Sequence, residues 1–150
     1  MSSLRQKALQ LLTRREHSRF ELAQKLAKLG SAEEITAVLD HLEQTGLLSD
    51  QRTVAAYLSS HAARFGAAKL KAVLRVKGIA GELIDAGLGG DMADTLGSEE
   101  SRAREVWRRK FAHPPVDRRD WARQARFLQS RGFSTEAITK TLKATEDDDA

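Results

Sequence analysis

The sequence predicts an all-α protein, an elongated array of three tandem three-helix repeats of a helix-turn-helix-like kind. Its 150 residues are rich in Ala, Leu, Arg, Lys, Glu and Gln and include 2 prolines, a composition that favours helix over strand. Apolar residues recur at intervals of three and four, and no stretch alternates as a half-buried strand does. A glycine-centred segment occurs three times, as QKLAKLGSAEEI, VLRVKGIAGELI and FLQSRGFSTEAI.

These three segments define the repeats. Gly30 lies 48 residues before Gly78, and Gly78 lies 54 residues before Gly132, spacings that are typical of helical arrays. Each glycine suits a helix end, because glycine adopts the left-handed conformation there at little cost. We therefore predict repeats at 1–49, 50–97 and 98–145 and an acidic, disordered tail at 146–150. The helices are expected at 4–15, 18–29 and 32–46, at 50–64, 67–77 and 80–88, and at 98–112, 117–131 and 134–143.

Capping residues mark where several helices begin. Ser18 with Glu21, and Ser31 with Glu34, match the capping box, in which each side chain satisfies a backbone N–H at the helix start. Further N-caps, without the reciprocal glutamate, are predicted at Asp50, Asp117 and Ser134.

Two segments interrupt the helical pattern. Residues 78–97 contain six glycines, and a glycine inside a helix costs about 1 kcal/mol relative to alanine. We therefore expect a short sixth helix and a flexible, glycine-rich linker at the end of the second repeat. Pro114-Pro115 forces a second break, because the residue before a proline avoids the helical conformation.

Positive charge is concentrated in the third repeat. The chain has 25 basic and 21 acidic residues and a formal net charge of +4. Residues 1–50 have a net charge of 0, residues 51–97 of +2, residues 98–145 of +6 and the tail of −4. A basic module of this kind attracts phosphates without sequence preference and in a salt-sensitive way. The acidic tail could fold back on it and mimic an anionic partner.

No motif of a catalytic centre or of a metal or cofactor site stands out. The chain has no cysteine, and its four histidines lie far apart, so each is interpreted as a surface or capping residue rather than as a metal ligand. The GLGGD run at 87–91 follows no predicted strand, which argues against a phosphate loop. We expect no enzymatic activity, no cofactor and no metal. Since no stretch approaches the roughly 20 apolar residues of a membrane span, we also expect a soluble protein with no membrane partner.

Four segments are similar to a family of small bacterial regulators. They are RREHSRFEL at 14–22, GLLSD at 46–50 with Arg52, the KGI turn at 77–79, and RFLQSRGF at 126–133. In this order, from about residue 4 to residue 143, they resemble the RecX family, cytoplasmic regulators of the RecA recombinase. The resemblance implies three tandem three-helix repeats and binding along the groove of the RecA–ssDNA filament. It also implies modulation, mainly inhibition, of the recombinase, ATPase and co-protease activities of RecA.

Basic residues in all three repeats are the candidate contacts with the recombinase and with DNA phosphates. They are Arg14, Arg15 and Arg19 in the first repeat, Lys69, Lys71 and Arg75 in the second, and Arg123, Arg126 and Arg131 in the third. The alternative for each is a solvated surface position, where an ion pair contributes little. Aromatic residues are interpreted mainly as core, and Phe65, in the ARFG segment, is the one kept open as a base-stacking residue.

Two other functions stay open beside filament binding. One is a stand-alone DNA-binding protein that acts without recombinase, and the other is an adaptor between proteins that is indifferent to DNA. Base-specific contacts are weakly supported, because the chain has no asparagine and no glutamine pair on a basic helix. We expect a cytoplasmic monomer.

Overall fold

The computed structural model describes residues 2–149, apart from the side chains of residues 2, 91–93 and 147–149. These residues form ten α-helices and no strand, which confirms the all-α prediction. The helices are α1 (Ser2–Arg14), α2 (Arg19–Leu26), α3 (Ala32–Gln44), α4 (Asp50–His61), α5 (Ala67–Val76), α6 (Gly81–Leu88), α7 (Asp91–Leu96), α8 (Glu99–Lys110), α9 (Arg118–Ser130) and α10 (Thr135–Asp149).

The chain divides into two compact units. The first unit comprises residues 1–57 and 74–87, and the second comprises residues 58–73 and 88–150. Helices α4, α5 and α6 each run from one unit into the other. Each unit is made of two separate stretches of the chain, so the division into two units does not test the three consecutive repeats. The boundaries of the repeats stay a prediction.

The core of the first unit is built by one apolar face each of α1, α2 and α3. On α1 the buried positions are Leu4, Ala8 and Leu11, whose spacing of four and three residues places them on one side of the helix. The other buried members of this cluster are Leu22, Leu26, Ile35, Leu39, Leu42 and Leu48. The two predicted capping boxes, at Ser18 and Ser31, are both present and set where α2 and α3 begin.

The core of the second unit lies between α8, α9 and α10. Its buried members are Ala103, Trp107, Leu128, Phe133, Ala137, Ile138 and Leu142. A buried hydrogen bond of 2.6 Å joins Trp107 Nε1 to Gln124 Oε1, so the indole N–H keeps a partner inside the core. Asp117 and Ser134 accept hydrogen bonds from the backbone of Asp120 and Ala137, as their predicted roles as N-caps require.

Three local features differ from the sequence expectations. The N-cap of α4 is Ser49, which accepts from the Arg52 backbone, while Asp50 accepts from the Arg19 backbone instead. Helix α7 occupies part of the segment expected to be a linker, between Gly90 and Gly97, whose φ values of +55° and +84° place a turn on either side.

The third difference is at the C-terminal end of α10. We expected this helix to end near residue 143 and the tail to be disordered, but α10 continues to Asp149. No glycine or proline follows Gly132 to stop it, and the buried Thr145 donates a hydrogen bond to the Leu142 carbonyl at 2.7 Å. Ala150 and the side chains of 147–149 lie outside the described residues.

Candidate nucleic-acid interface

Two of the predicted site residues in the first unit are already paired with carboxylates. Arg15 Nη2 lies 3.2 Å from Glu21 Oε2 at the corner between α1 and α2. Arg19 Nη1 lies 2.8 Å from Asp40 Oδ1 and 2.7 Å from Glu43 Oε1. Each cation would have to leave its acidic partners before it could bind a phosphate, so these two arginines are poor candidates for anion contact.

Glu21 is the central acceptor of this corner. Its carboxylate accepts from the Ser18 backbone at 3.0 Å and from Arg15 and Lys77, each at 3.2 Å. Burial raises the pKa of Glu21, but the hydrogen bonds and charges of these three donors outweigh it and lower the pKa from 4.5 to about 2. Ser18 Oγ also donates to the Lys77 carbonyl at 2.6 Å, so the motif that precedes α2 holds the end of α5 in place.

His17 belongs to the same corner and is buried, not exposed as expected. It is 1 % exposed, and its Nδ1 lies 3.0 Å from the Arg15 carbonyl. Since a carbonyl can only accept, Nδ1 carries the proton, and Nε2 faces Lys25 Nζ at 3.4 Å. Burial lowers the pKa of His17, although the bond to the Arg15 carbonyl opposes this. His17 is therefore a neutral, structural residue.

The second unit carries cations of a different kind, held over aromatic rings. Phe65 follows α4, with Lys69 Nζ 4.5 Å and Arg64 Cζ 5.7 Å from its ring centroid. The ring of His61 lies nearly parallel to it, at a centroid distance of 6.5 Å and an angle of 23°. Phe65 itself is half-buried, and both cations are exposed.

A second cation–aromatic group lies on α8 and α9 and on the residue that directly follows each of them. The rings of Phe111 and Phe127 meet edge to face at a centroid distance of 5.4 Å. Lys110 and Arg131 lie over Phe127, at 5.5 Å and 5.1 Å from its centroid, and Arg123 lies 5.2 Å from that of Phe111. Such contacts stabilise by about 0.5–1 kcal/mol at exposed sites and hold each cation at the surface.

Backbone contacts join these two groups. The Gly66 N–H donates to the Arg131 carbonyl at 2.8 Å, and the Ala68 N–H donates to the Gly132 carbonyl at 3.3 Å. A Cβ on Gly132 would overlap the Cβ of Lys69, so the start of α5 packs directly against the turn between α9 and α10. We call the resulting surface the cation–aromatic band, formed by Arg64, Phe65, Lys69, Lys110, Phe111, Arg123, Phe127 and Arg131.

The cations of the band are largely free of acidic partners. Among the described residues, Arg123 is the one band cation with an ion pair, to Asp120 at 2.7 Å. Hydrogen bonds from Arg123 and from the Val116 backbone lower the pKa of Asp120, so this carboxylate stays ionised and neutralises part of the charge of Arg123. The other four cations have no carboxylate paired with them among the described residues, so they are available to an anionic ligand.

The structure brings together three of the nine predicted site residues. Lys69, Arg123 and Arg131 lie in the band, and Arg126 is exposed on α9 three residues after Arg123. Lys71, on α5, is half-buried. In the first unit, Arg14 and Arg75 are exposed at the ends of α1 and α5, while Arg15 and Arg19 lie in the paired corner described above.

Sequence reasoning missed the role of the rings. The interpretation of Phe111 and Phe127 as core is correct in part: both rings are half-buried and pack against the core of the second unit, and both also have cations over them. One signal was available: a cation follows a phenylalanine at a distance of four residues both in Phe65–Lys69 and in Phe127–Arg131. Arg102, in contrast to the cations of the band, is a basic residue of the third repeat that the fold buries. It is 6 % exposed and its Nη1 donates to the Gly97 carbonyl, so it is not available to a ligand at the surface.

Neither a metal site nor a membrane segment is found in the described part of the chain. Among its histidines, aspartates and glutamates no three form a group that could hold a metal ion. None of its helices is both long enough and apolar enough to cross a membrane.

Comparison with known proteins identifies the family. The model of the third three-helix domain of RecX matches residues 98–142, and the model of the first matches residues 5–42. These matches fall on the segments predicted to be the first and third repeats. The match at residues 5–42 includes Glu21 and the corner between α1 and α2.

Several relatives match along nearly the whole chain. The regulatory protein RecX of Leptothrix cholodnii is 46 % identical over 143 residues, covering 94 % of this chain and 88 % of its own. That of Herbaspirillum seropedicae is 42 % identical over 143 residues, covering 94 % and 90 %. The crystal structure of RecX from Lactobacillus salivarius has the same fold, with a TM-score of 0.79 at 18 % identity, over 97 % of this chain and 96 % of that one. The chain belongs to the RecX family of regulatory proteins.

Proposed function

We propose that this protein binds the RecA–ssDNA filament and modulates, mainly inhibits, the recombinase, ATPase and co-protease activities of RecA. Its membership of a family of regulatory proteins supports a regulatory role, and the resemblance described above supports RecA as the partner. Like the RecX family it resembles, the protein acts in the cytoplasm. It acts there as a monomer that needs no cofactor.

The observation that carries the proposal is the cation–aromatic band. A nucleoprotein filament offers a row of phosphates and acidic side chains, and an unpaired surface cation gains more from such a ligand than a cation that must first leave a carboxylate. Lys69, Lys110 and Arg131 meet that condition. The band therefore has the charge and exposure needed to lie along the filament.

The test is co-sedimentation with filaments of RecA on single-stranded DNA, formed with a nucleotide that keeps them extended. Reversing Arg123, Arg126 and Arg131 to glutamate is expected to abolish pelleting while helix content, measured by circular dichroism, is retained. The matched control reverses Arg104, Arg108 and Arg109, which are exposed residues of α8 outside the band. Equal pelleting of the two variants would refute the proposal for this surface.

A stand-alone DNA-binding protein is the second candidate, because the same unpaired cations would bind free DNA. The two functions separate in the same assay, with RecA filaments, free RecA and free single-stranded DNA compared side by side. Filament recognition requires both RecA and the bound nucleotide. Direct DNA binding requires neither, and it weakens steeply as salt is raised.

A further inference from the structure

We propose that the aromatic rings of the cation–aromatic band are a stacking site for unpaired bases, so that the second unit binds single-stranded nucleic acid in preference to duplex. This inference rests on the proposed function and names the part of the filament that the band contacts. Phosphate binding alone needs cations. Outside the band, the one cation–ring contact among the described residues joins Lys77 to Tyr57, with Lys77 Nζ 6.0 Å from the ring centroid. The concentration of such contacts in the band therefore requires a separate explanation.

The position of the rings is the first argument. Trp107 and Phe133 are buried in the core of the second unit, where aromatic side chains stabilise a fold. Phe111 and Phe127 are half-buried and pack against that core with part of their surface. Phe65, by contrast, is half-buried beside exposed cations and does not belong to that core. Leaving an aromatic ring at a surface forgoes part of its burial energy, which a ligand that covers the ring would restore.

The freedom of the cations is the second argument. Lys69 Nζ covers the ring of Phe65 at 4.5 Å but forms no ion pair among the described residues. A rotation of its own side chain moves this ammonium group from the ring to a phosphate, and the same movement exposes the ring face to a base. Lys110 and Arg131, over Phe127, are placed in the same way. Binding a strand thus exchanges a cation–ring contact for a phosphate contact and a base–ring contact.

The chemistry of the ligand decides between single strand and duplex. In a duplex the faces of the bases are stacked on one another, so a protein ring finds no partner there. In a single strand the faces are accessible, and stacking on an aromatic side chain is largely independent of the base. A surface that alternates rings with unpaired cations therefore fits single-stranded nucleic acid.

The experiment measures fluorescence anisotropy with a dT oligonucleotide and with a hairpin duplex of equal phosphate number, over a series of salt concentrations. Wild-type protein should bind the dT strand more tightly than the duplex. Phe65→Leu should weaken binding to dT at least about fivefold without changing the dependence on salt, and should leave duplex binding unchanged. Lys69→Gln should weaken both ligands and reduce the salt slope by somewhat less than 1.

Two further variants serve as controls. Phe20→Leu removes an exposed ring in the first unit, 46 % exposed and with no cation held over it among the described residues, and should leave dT binding unchanged. Phe65→Tyr keeps the ring and should restore the binding that Phe65→Leu loses, which separates stacking from a folding defect.

The inference is overturned if Phe65→Leu binds dT as wild type does, if it loses dT and duplex binding equally, or if wild-type protein does not bind dT at low salt. Co-sedimentation with RecA filaments distinguishes failure of the stacking proposal from failure of the proposed function. If the wild-type protein pellets with filaments but Phe65→Leu binds dT as tightly as wild type, stacking is rejected and filament binding is retained. If dT binding depends on Phe65 but the protein does not pellet with filaments, filament binding is rejected and stacking is retained.

Discussion

At the scale of single residues, the corner between α1 and α2 shows how polar side chains of a conspicuous motif support the fold. Glu21 accepts from Ser18, Arg15 and Lys77, and its side chain is 13 % exposed. The hydrogen bond from Ser18 closes the start of α2, and the ion pair with Lys77 reaches a segment 56 residues away. The charged residues of this motif are therefore used inside the first unit.

Glu21→Gln is expected to destabilise the protein by about 1–3 kcal/mol near neutral pH, because glutamine keeps an acceptor for the Ser18 N–H but loses the charge that pairs with Arg15 and Lys77. The same contacts lower the pKa of Glu21 from 4.5 to about 2 in the folded protein. Because the folded-state pKa is below the unfolded one, the stabilisation is complete above about pH 4.5 and is lost as the pH falls towards 2. Urea unfolding at several pH values measures this.

The matched control for this prediction is Glu34→Gln, in the capping box of α3. Glu34 bonds to Ser31 but has no cationic partner among the described residues, so its substitution should cost distinctly less. Equal losses for the two variants would show that the Arg15 and Lys77 contacts contribute nothing.

His17 predicts a second pH dependence, at higher pH. Burial lowers its pKa in the folded state, so the unfolded chain binds a proton first as the pH falls below about 6.5. The stability of the wild type should therefore decrease from pH 7 to pH 5. His17→Gln should remove most of this decrease, whereas the exposed His41→Gln should retain it. The midpoint of thermal unfolding, measured from pH 5 to pH 7 for each variant, tests this prediction. If the midpoints of wild type and His17→Gln fall by the same amount over this range, the argument from burial of His17 is wrong.

At the scale of elements, the start of α5 depends on close contact with the turn between α9 and α10. Gly66 donates to the Arg131 carbonyl, and a Cβ at Gly66 would overlap the carbonyl of Gly132. Gly132 has a φ of +88° and is pressed against Lys69. A side chain at either position would be strained, and this close approach brings the residue after Phe65 against the Arg131 carbonyl.

Gly66→Ala should accordingly destabilise the protein by about 1–3 kcal/mol, because an added methyl group meets rigid backbone. It should also weaken dT binding, since the two parts of the band would separate. Gly81→Ala is the control: a Cβ there meets nothing within 4 Å at the start of α6, so the change should be neutral or stabilising by less than about 1 kcal/mol. A Gly66→Ala protein as stable as wild type would show that the contact is looser than described.

At the scale of the whole molecule, the net charge of +4 does not show which cations are paired within the fold. In the first unit, Arg15, Arg19, Arg52 and Lys77 pair with carboxylates. In the second unit, most cations of the band are unpaired, and the acidic residues 146–149 follow in the same chain. Binding to a polyanion should therefore respond to charge changes in the band far more than to changes at the paired cations of the first unit.

Removing residues 146–150 tests this expectation. The deletion eliminates four carboxylates and takes the formal charge from +4 to +8, so dT binding should tighten several-fold at low salt and converge with wild type at high salt. Replacing the four acidic residues by glutamine keeps the chain length and should have the same effect. Unchanged affinity in both variants would show that the tail does not compete with DNA for the band.

The sequence alone determined the features of this protein that depend on near neighbours. The all-α class, the capping boxes at Ser18 and Ser31, and the helix ends at Gly78 and Gly132 all depend on residues a few positions apart. The resemblance carried by the motifs at 14–22 and 126–133 was confirmed by the relatives, because it needed no knowledge of packing.

Only the tertiary structure decided which cations are free. Arg19 is neutralised by residues 21 and 24 positions away, and the band joins Gly66 to Arg131 across 65 positions. A charge pattern along the chain does not show such distant partners, so Arg19 and Arg131 look equivalent in sequence. They differ in the fold because the Arg19 side chain lies beside two carboxylates and the Arg131 side chain lies over a ring.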